Sequence, residues 1–242
     1  MKICAISDLH GYLPQNLPEA EILLICGDIV PLDVQRSMPA SAKWFRDRFL
    51  KWVRKQTFKK IFAIGGNHDF FLKSIYHNED LIEHTLYHND KFELLEDSFK
   101  EYISNDGNVY KIYGTPWCHI FGNWAFMYED EGLIEVYKDI PEDIDILISH
   151  DAPYGTSDQC LQETFYNYER TNENGVKEFP HIGNKPLRDA IIAKHPSILL
   201  HGHLHSTNHE CEMLEKTMVY NVSIKDENYN IAYKPLVIEY SK

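Results

Sequence analysis

The feature that most constrains this chain is a short apolar run that ends in Gly27-Asp28. Residues 22–26 read Ile-Leu-Leu-Ile-Cys and lead directly into this pair. Five apolar residues are too few for a buried helix and are typical of a strand covered on both faces. Because Gly27 lets the backbone turn sharply, Asp28 is placed at the carboxyl end of the strand, where open α/β sheets bind ligands. A single aspartate there can equally form a turn, so its interpretation depends on whether the pattern recurs.

The same pattern recurs at four other places in the chain. Each time an apolar strand leads into a loop with His, Asp or Asn: residues 2–7 into Asp8-Leu9-His10, 60–64 into Gly66-Asn67-His68-Asp69, 145–149 into His150, and 197–200 into Gly202-His203-Leu204-His205. Carboxylate and imidazole groups are ligands that suit Mn²⁺, Fe or Zn²⁺. The sequence therefore predicts a metal site built from five strand ends, with Asp28 at its centre.

The order of the predicted elements indicates the fold class. Strands and helices alternate at both ends of the chain, with helices expected up to about Lys55 and over residues 70–87. In the middle, residues 99–104 and 109–113 flank a turn sequence and form a hairpin. No linker interrupts this order. We therefore expect one domain over residues 1–242, of the α/β class, with a two-sheet β sandwich flanked by helices.

Composition narrows the classes of partner that the chain is expected to bind. The formal net charge is −13, from 24 basic and 37 acidic residues, and the basic residues of 43–60 fit the solvated face of an amphipathic helix. We therefore expect no long nucleic acid as a partner. No apolar run approaches the roughly 20 residues of a membrane helix, so no membrane is expected. The five cysteines lack CxxC spacing and the sequence starts in a strand, not a signal peptide, which favours the cytoplasm.

Taken together, the five motifs resemble the calcineurin-like metallophosphoesterase superfamily, whose fold matches the predicted sandwich. Residues 113–117, 124–126, 149–153 and 220–223 are further similar to a small subfamily that includes the vertebrate brain-type metallophosphoesterase-domain proteins. That subfamily is related to class III cyclic-nucleotide phosphodiesterases. Protein phosphatases of the superfamily carry Asp-Arg-Gly and Gly-Asn-His-Glu, whereas this chain has Gly27-Asp28-Ile29 and ends its third motif in Asp69. A protein phosphatase is therefore not expected.

The resemblance implies a role for each motif residue. It implies two divalent ions, Mn²⁺ first with Fe or Zn²⁺ as alternatives, and a hydroxide bridging them that attacks phosphorus. The expected metal ligands are Asp8, His10, Asp28 and His205 for the first ion, and Asp28, Asn67, His150 and His203 for the second. His68 is expected to protonate or stabilise the leaving oxygen. Asp69 either orients His68 or only forms the turn, and His119, His181, His201 and His209 receive no role.

The implied activity is a dinuclear-metal phosphoesterase. The leading hypothesis is a phosphodiesterase acting on small nucleotide-like or cyclic-nucleotide esters. Alternatives are a phosphomonoesterase or phosphoanhydride hydrolase, and a non-catalytic metal-binding module. The long polar and aromatic segment 153–183 follows His150, so we expect it to form one wall of the site. Its rings, among them Tyr154, Phe165, Tyr166 and Tyr168, either stack on a base or pack the segment onto the domain. The oligomeric state stays open.

Overall fold

The computed structural model describes residues 1–76, 90–159, 170–171 and 177–242. Its strands are β1 (Lys2–Ile6), β2 (Ile22–Cys26), β3 (Lys60–Ile64), β4 (Phe92–Leu94), β5 (Ser98–Ile103), β6 (Val109–Thr115), β7 (Cys118–His119), β8 (Met127–Tyr128), β9 (Ile146–Ser149), β10 (Arg170–Thr171), β11 (Lys177–Glu178), β12 (Ile198–His201), β13 (Glu212–Leu214), β14 (Thr217–Asn221) and β15 (Leu236–Glu239). Its helices are α1 (Met38–Trp44), α2 (Leu50–Lys55), α3 (Phe70–Tyr76), α4 (Asp130–Lys138) and α5 (Lys185–Lys194), with a π-helical turn, Phe45–Phe49, between α1 and α2.

Two large mixed sheets carry the fold. The first sheet has the order β15-β1-β2-β3-β4, with β1 to β4 parallel and β15 antiparallel at the edge. The second sheet has the order β13-β14-β12-β9-β6-β5, with a parallel centre and an antiparallel strand at each edge. The expected α/β class with two sheets flanked by helices is confirmed. The predicted helix over 70–87 begins at Phe70, and its part beyond Tyr76 lies outside the described residues.

The apolar runs are explained by burial on both faces of each strand. Alternate side chains such as Leu24 of β2 and Ile148 of β9 share one cluster, which lies between the sheets. Their neighbours, such as Leu23 and Leu147, belong to a second cluster that includes helix residues such as Phe45. A strand residue alternates between two faces, and here both faces are apolar. Each fully buried Leu or Ile contributes roughly 1.5–3 kcal/mol.

A short turn connects the two sheets between β4 and β5. Asp97 in this turn has a φ of 43° and accepts hydrogen bonds from Thr115 Oγ1 at 2.8 Å and Trp117 Nε1 at 2.6 Å. Both donors follow or end β6, so the turn is fixed to the second sheet. In the described part of the chain, no helix is long and apolar enough to cross a membrane.

Candidate metal centre

The loops after five strands meet at the seam between the sheets. Asp8, Asp28 and Asn67 follow β1, β2 and β3 of the first sheet, and His150 and His203 follow β9 and β12 of the second. Backbone hydrogen bonds fasten the loops to one another. Asp8 N donates to Gly27 O at 3.1 Å, and Gly202 N donates to His150 O at 3.2 Å. Across the seam, His203 N donates to the Asp8 carboxylate at 3.1 Å.

The predicted ligands come together through their donor atoms. Three groups that contain Asp8 or Asp28 have donor atoms within 4.8 Å of one another, namely Asp8 with His10 and His205, His10 with Asp28 and His68, and Asp8 with Asp28 and His150. Asn67 joins them, because its Oδ1 lies 2.9 Å from His150 Nε2. Asp8 and Asp28 each occur in two groups, and Asp28 contacts His10, His68 and His150 at 3.6, 3.9 and 3.4 Å. Asp28 thus lies at the middle of the donor set, as the sequence predicts.

Four residues of this set have strained backbone conformations. Asp8, His10, Asp28 and His203 have φ values of 57°, 41°, 52° and 65°, in the left-handed region that side-chain-bearing residues avoid. Such conformations cost on the order of 1–3 kcal/mol each and are held only where surrounding contacts impose them. The loops therefore hold their donors in fixed directions at a cost in stability.

Two glycines make room for the carboxylates. A Cβ added at Gly66 would lie 2.3 Å from Asp28 Oδ1, and one at Gly202 would lie 2.4 Å from Asp8 Oδ2. Both distances are far below van der Waals contact. Any larger residue at either position would displace the carboxylate beside it.

Two histidines are oriented by backbone carbonyls. His150 Nδ1 lies 2.7 Å from Cys26 O, and His205 Nδ1 lies 2.9 Å from Asp226 O. Since a carbonyl only accepts, each Nδ1 carries a proton and each Nε2 faces the site. His205 Nε2 lies 3.2 Å from Asp8 Oδ1, and His150 Nε2 faces Asp28 Oδ1. Imidazoles that bind metals are oriented in this way by a second hydrogen bond.

The charges at the site favour a cation. Burial opposes charge on His150, but Asp28 outweighs it and raises its pKa to about 10; Asp8 likewise raises the pKa of His205 to about 9. At His10 and His203 burial outweighs the nearby carboxylates, and it lowers their pKa values to about 3 and about 4. Both ring nitrogens of His10 are buried without a hydrogen-bond partner among the described residues. Ionised carboxylates beside the neutral imidazoles of His10 and His203 fit a divalent ion.

His68 lies beside the donor set with its ring held from outside. Its Nδ1 contacts Gln35 Oε1, its ring packs 4.5 Å from that of Trp124, and its backbone N donates to Asp28 Oδ1 at 2.8 Å. The partner of the His68 ring is therefore Gln35. The Asp69 carboxylate instead accepts from the backbone N–H groups of Ile29, Val30 and Gly66, which agrees with its interpretation as a turn former. No sequence motif marks Gln35, because its loop comes close to His68 only when the chain folds.

Three aromatic rings surround the donors. Phe121 lies 5.0 Å from the His203 ring, Trp124 lies on His68, and Tyr229 lies 4.9 Å from His10. Phe121 is 45% exposed and Tyr229 39%. The wall expected from segment 153–183 stays a prediction; of its four named rings the structure describes Tyr154, which packs near His181 and Lys185. The other three rings named for that segment, at positions 165, 166 and 168, lie outside the described residues.

The histidines without an assigned role have partners in the structure. His119 Nδ1 contacts Asp151 Oδ2 at 2.8 Å, His181 Nδ1 contacts Asp158 Oδ1 at 2.5 Å, and His209 stacks on Tyr233 at 3.6 Å. His201 is buried, with Nδ1 3.1 Å from Gly202 O and Nε2 without a partner among the described residues, and burial lowers its pKa to about 4. Cys118 belongs to no sequence motif, yet its Sγ lies within 4.8 Å of donor nitrogens of His150 and His203. Because Cys118 is not part of a CxxC pattern, its position beside these histidines can be found only from the fold.

Comparisons with known proteins identify the family of the chain. The model of the calcineurin-like phosphoesterase family matches residues 1–207. Human metallophosphoesterase domain-containing protein 1 is 25% identical over 255 residues, covering 98% of this chain and 70% of that protein. A probable rhamnogalacturonate lyase C of Emericella nidulans is 25% identical over 207 residues, which cover 85% of this chain and only 17% of the length of that protein.

Solved structures confirm the fold. The crystal structure of TT1561 of Thermus thermophilus superposes with a TM-score of 0.56 at 14% identity, covering 91% of this chain and 88% of that one. Another crystal structure gives a TM-score of 0.58 at 16% identity, with 91% and 89% covered. The chain belongs to the calcineurin-like phosphoesterase family, a class of metal-dependent phosphoester hydrolases, as the motifs predict.

Proposed function

We propose that the chain is a dinuclear-metal phosphodiesterase that hydrolyses small nucleotide-like or cyclic-nucleotide phosphate esters. The observation that carries the proposal is the converged set of two carboxylates, an amide and four imidazoles, in which the buried His10 nitrogens lack partners among the described residues. Asp8, His10, Asp28 and His205 would hold one ion, and Asp28, Asn67, His150 and His203 the other. Mn²⁺ is the first candidate, with Fe or Zn²⁺ as alternatives.

The ions, when bound, would polarise a phosphate oxygen and lower the pKa of water at the site. The chain's own residues orient the reaction around them. Gln35 Oε1 accepts from His68 Nδ1 and fixes the ring, so that Nε2 is the nitrogen that faces Asp28. From there His68 can pass a proton to the leaving oxygen. Asp69 acts indirectly. Its carboxylate accepts hydrogen bonds from the backbone N–H groups of Ile29 and Gly66 and so holds the loops of Asp28 and Asn67 together.

The three aromatic rings around the donors, here called the aromatic rim, support the choice of a nucleotide-like substrate. Phe121, Trp124 and Tyr229 offer ring faces around the donors, and stacking of a base on such a face is worth roughly 1–3 kcal/mol. The Arg36 guanidinium lies 5.0 Å from the Trp124 ring centre and adds a positive charge on that side. Planar, anionic esters fit these surroundings.

The test is a substrate panel with the metal-free chain reloaded with Mn²⁺ and, in parallel, with Fe²⁺ or Zn²⁺. We expect cleavage of cyclic nucleotides and bis-p-nitrophenyl phosphate to exceed that of p-nitrophenyl phosphate and pyrophosphate. The Asp28→Asn variant should lose all of these activities. Faster cleavage of the monoester or the anhydride would favour the corresponding alternative, and no activity with any of the three metals would favour a non-catalytic module.

The rim is tested by kinetics. Replacing Tyr229 or Trp124 by Ala should raise KM for a cyclic nucleotide and spare glycerophosphocholine, a diester without a ring. Phe99→Ala is the matched control, because Phe99 is an exposed ring on β5, 46% accessible. Equal effects on both diesters would mean that the rim rings do not read a base.

A further inference from the structure

Cys118 differs from the other buried cysteines in its surroundings. Cys4 and Cys26 each lie in one of the two apolar clusters, as expected of a thiol that packs as a small hydrophobic group. Cys118 is equally buried but belongs to neither cluster. Its Sγ lies instead within 4.8 Å of donor nitrogens of His150 and His203. Apolar packing therefore does not account for its position.

The backbone holds this thiol in place. Cys118 N donates to Phe126 O at 2.8 Å, and β7 pairs with β8. The next residue forms a clamp, because His119 N and Nδ1 both bind Asp151 Oδ2, at 3.0 and 2.8 Å. Since Asp151 directly follows His150, the clamp joins the strand of the thiol to the loop of the imidazole. Ligands on a strand fixed in this way are placed more accurately than ligands on a free loop.

We propose that Cys118 Sγ is a ligand of the ion that His150 and His203 would hold, an inference that rests on the proposed metal site. When the ion binds, the S–H bond breaks, its proton passes to solvent, and a sulfur lone pair is donated to the ion. His150 keeps its Nδ1 proton on the Cys26 carbonyl, so its Nε2 remains the donor. The second subsite then has nitrogen, sulfur and oxygen donors, and the first only nitrogen and oxygen.

The donor types predict different metals at the two subsites. A thiolate selects Zn²⁺ or Fe over Mn²⁺, whereas carboxylate and imidazole alone accept Mn²⁺. The subsite of Asp8, His10 and His205 has no sulfur donor in its group. The chain would accordingly carry a mixed pair of ions, with the softer ion beside Cys118.

The experiment uses Co²⁺ as a spectroscopic probe. The full-length chain is stripped of metal and titrated with Co²⁺ while visible and near-ultraviolet absorption are recorded. The d–d bands report ligation by any donors, and a sulfur-to-cobalt charge-transfer band reports a thiolate. We expect both in the wild type, with loss of the charge-transfer band alone in Cys118→Ser and in Cys118→Ala. Cys211→Ser is the matched control, since Cys211 is exposed, and it should keep both.

A second measurement is the metal affinity. The Zn²⁺ dissociation constant of the second subsite should rise at least about tenfold in Cys118→Ser, while Mn²⁺ binding changes little. Wild-type d–d bands without a charge-transfer band would overturn the role of Cys118 and leave the proposed metal site standing. Absence of both bands would overturn the metal site and the inference together. Circular dichroism verifies that each variant is folded.

Discussion

The two sheets contribute different chemistry to the seam where they meet. The first sheet supplies the oxygen atoms of Asp8, Asp28 and Asn67 and the imidazole of His10, whereas the second sheet supplies only imidazoles, those of His150, His203 and His205. Burial opposes ionisation of Asp8 and Asp28, but His205 and His150 outweigh it and hold both carboxyl pKa values below their usual range. Packing of the two sheets brings His205 Nε2 to Asp8 Oδ1 at 3.2 Å and His150 Nε2 to Asp28 Oδ1 at 3.4 Å. The proposed site therefore draws on both sheets, and the predictions below test each side of it.

The largest effect is expected from removing a donor of the second sheet. His150→Ala should lower kcat/KM by at least about 10³-fold, beyond what the loss of one electrostatic group costs, because the ion shared with Asp28 loses a ligand. Bound metal should fall from two ions to one. His181→Ala is the control, since it removes another histidine paired with a buried carboxylate, Asp158. An active His150→Ala variant with two ions would mean that the first sheet suffices.

A variant of His68 tests the contribution of the first sheet without removing a predicted metal ligand. His68→Ala should keep two ions but slow turnover by about 10²–10⁴-fold, the usual loss for a general acid. The loss should be smaller with p-nitrophenolate as the leaving group than with an alkoxide, because p-nitrophenolate needs less protonation. Gln35→Ala, which removes only the partner of the ring, should cost less. Equal losses with both leaving groups would exclude the acid role.

Gly66→Ala tests how closely the strand-end loops must approach. The added methyl group would displace the Asp28 carboxylate, so metal affinity should fall by roughly 10–100-fold, as when groups that orient ligands are changed. Gly107→Ala is the control for backbone strain alone, because Gly107 has a φ of 84° but its added Cβ would meet nothing within 4 Å. Calorimetric titration with Mn²⁺ measures both. Unchanged affinity in Gly66→Ala would show that Asp28 tolerates movement.

The smallest effect concerns the turn between the sheets. Burial raises the pKa of Glu96 from 4.5 to about 8, Asp97 adds to the rise, and Lys73 opposes it. Between those pH values the folded chain keeps a proton that the unfolded chain has lost, so this group makes stability fall as the pH rises. Glu96→Gln should therefore raise Tm by a few degrees at about pH 8.5 and less at about pH 5.

The control for this pH effect is Glu101→Gln, since Glu101 is exposed on β5. It should show no comparable dependence on pH. If Glu96→Gln changes Tm equally at both pH values, proton binding at Glu96 does not couple to folding.

Local sequence was sufficient to predict most of the longer strands and helices and the polar residues that follow the strands. An apolar run followed by Gly27-Asp28 places its aspartate at a strand end whatever the rest of the chain does. Parallel pairing of β1, β2 and β3 then brings Asp8, Asp28 and Asn67 to one edge. The predicted strand over residues 60–64 agrees with β3, because its period and its bounding residues carry the signal locally.

Contacts across the seam could not be predicted from the sequence. Gln35, Phe121 and Tyr229 reach the site from loops whose paths depend on how the two sheets pack. Cys118 has the same origin, since β7 is placed by the His119–Asp151 clamp. The wall expected from segment 153–183 stays a prediction, because three of its four named rings lie outside the described residues, whereas Phe121, Trp124 and Tyr229 reach the donors from other loops.

The most direct test of the account is the number of divalent ions bound per chain. Equilibrium dialysis of the full-length protein against Mn²⁺, followed by metal analysis, should give two ions in the wild type. Asp28→Asn should weaken both, because Asp28 lies within 3.6 Å of donors from each sheet, His10 and His150. A wild type that binds no ion, or an Asp28→Asn variant that keeps both with unchanged affinity, would contradict a shared site at the seam.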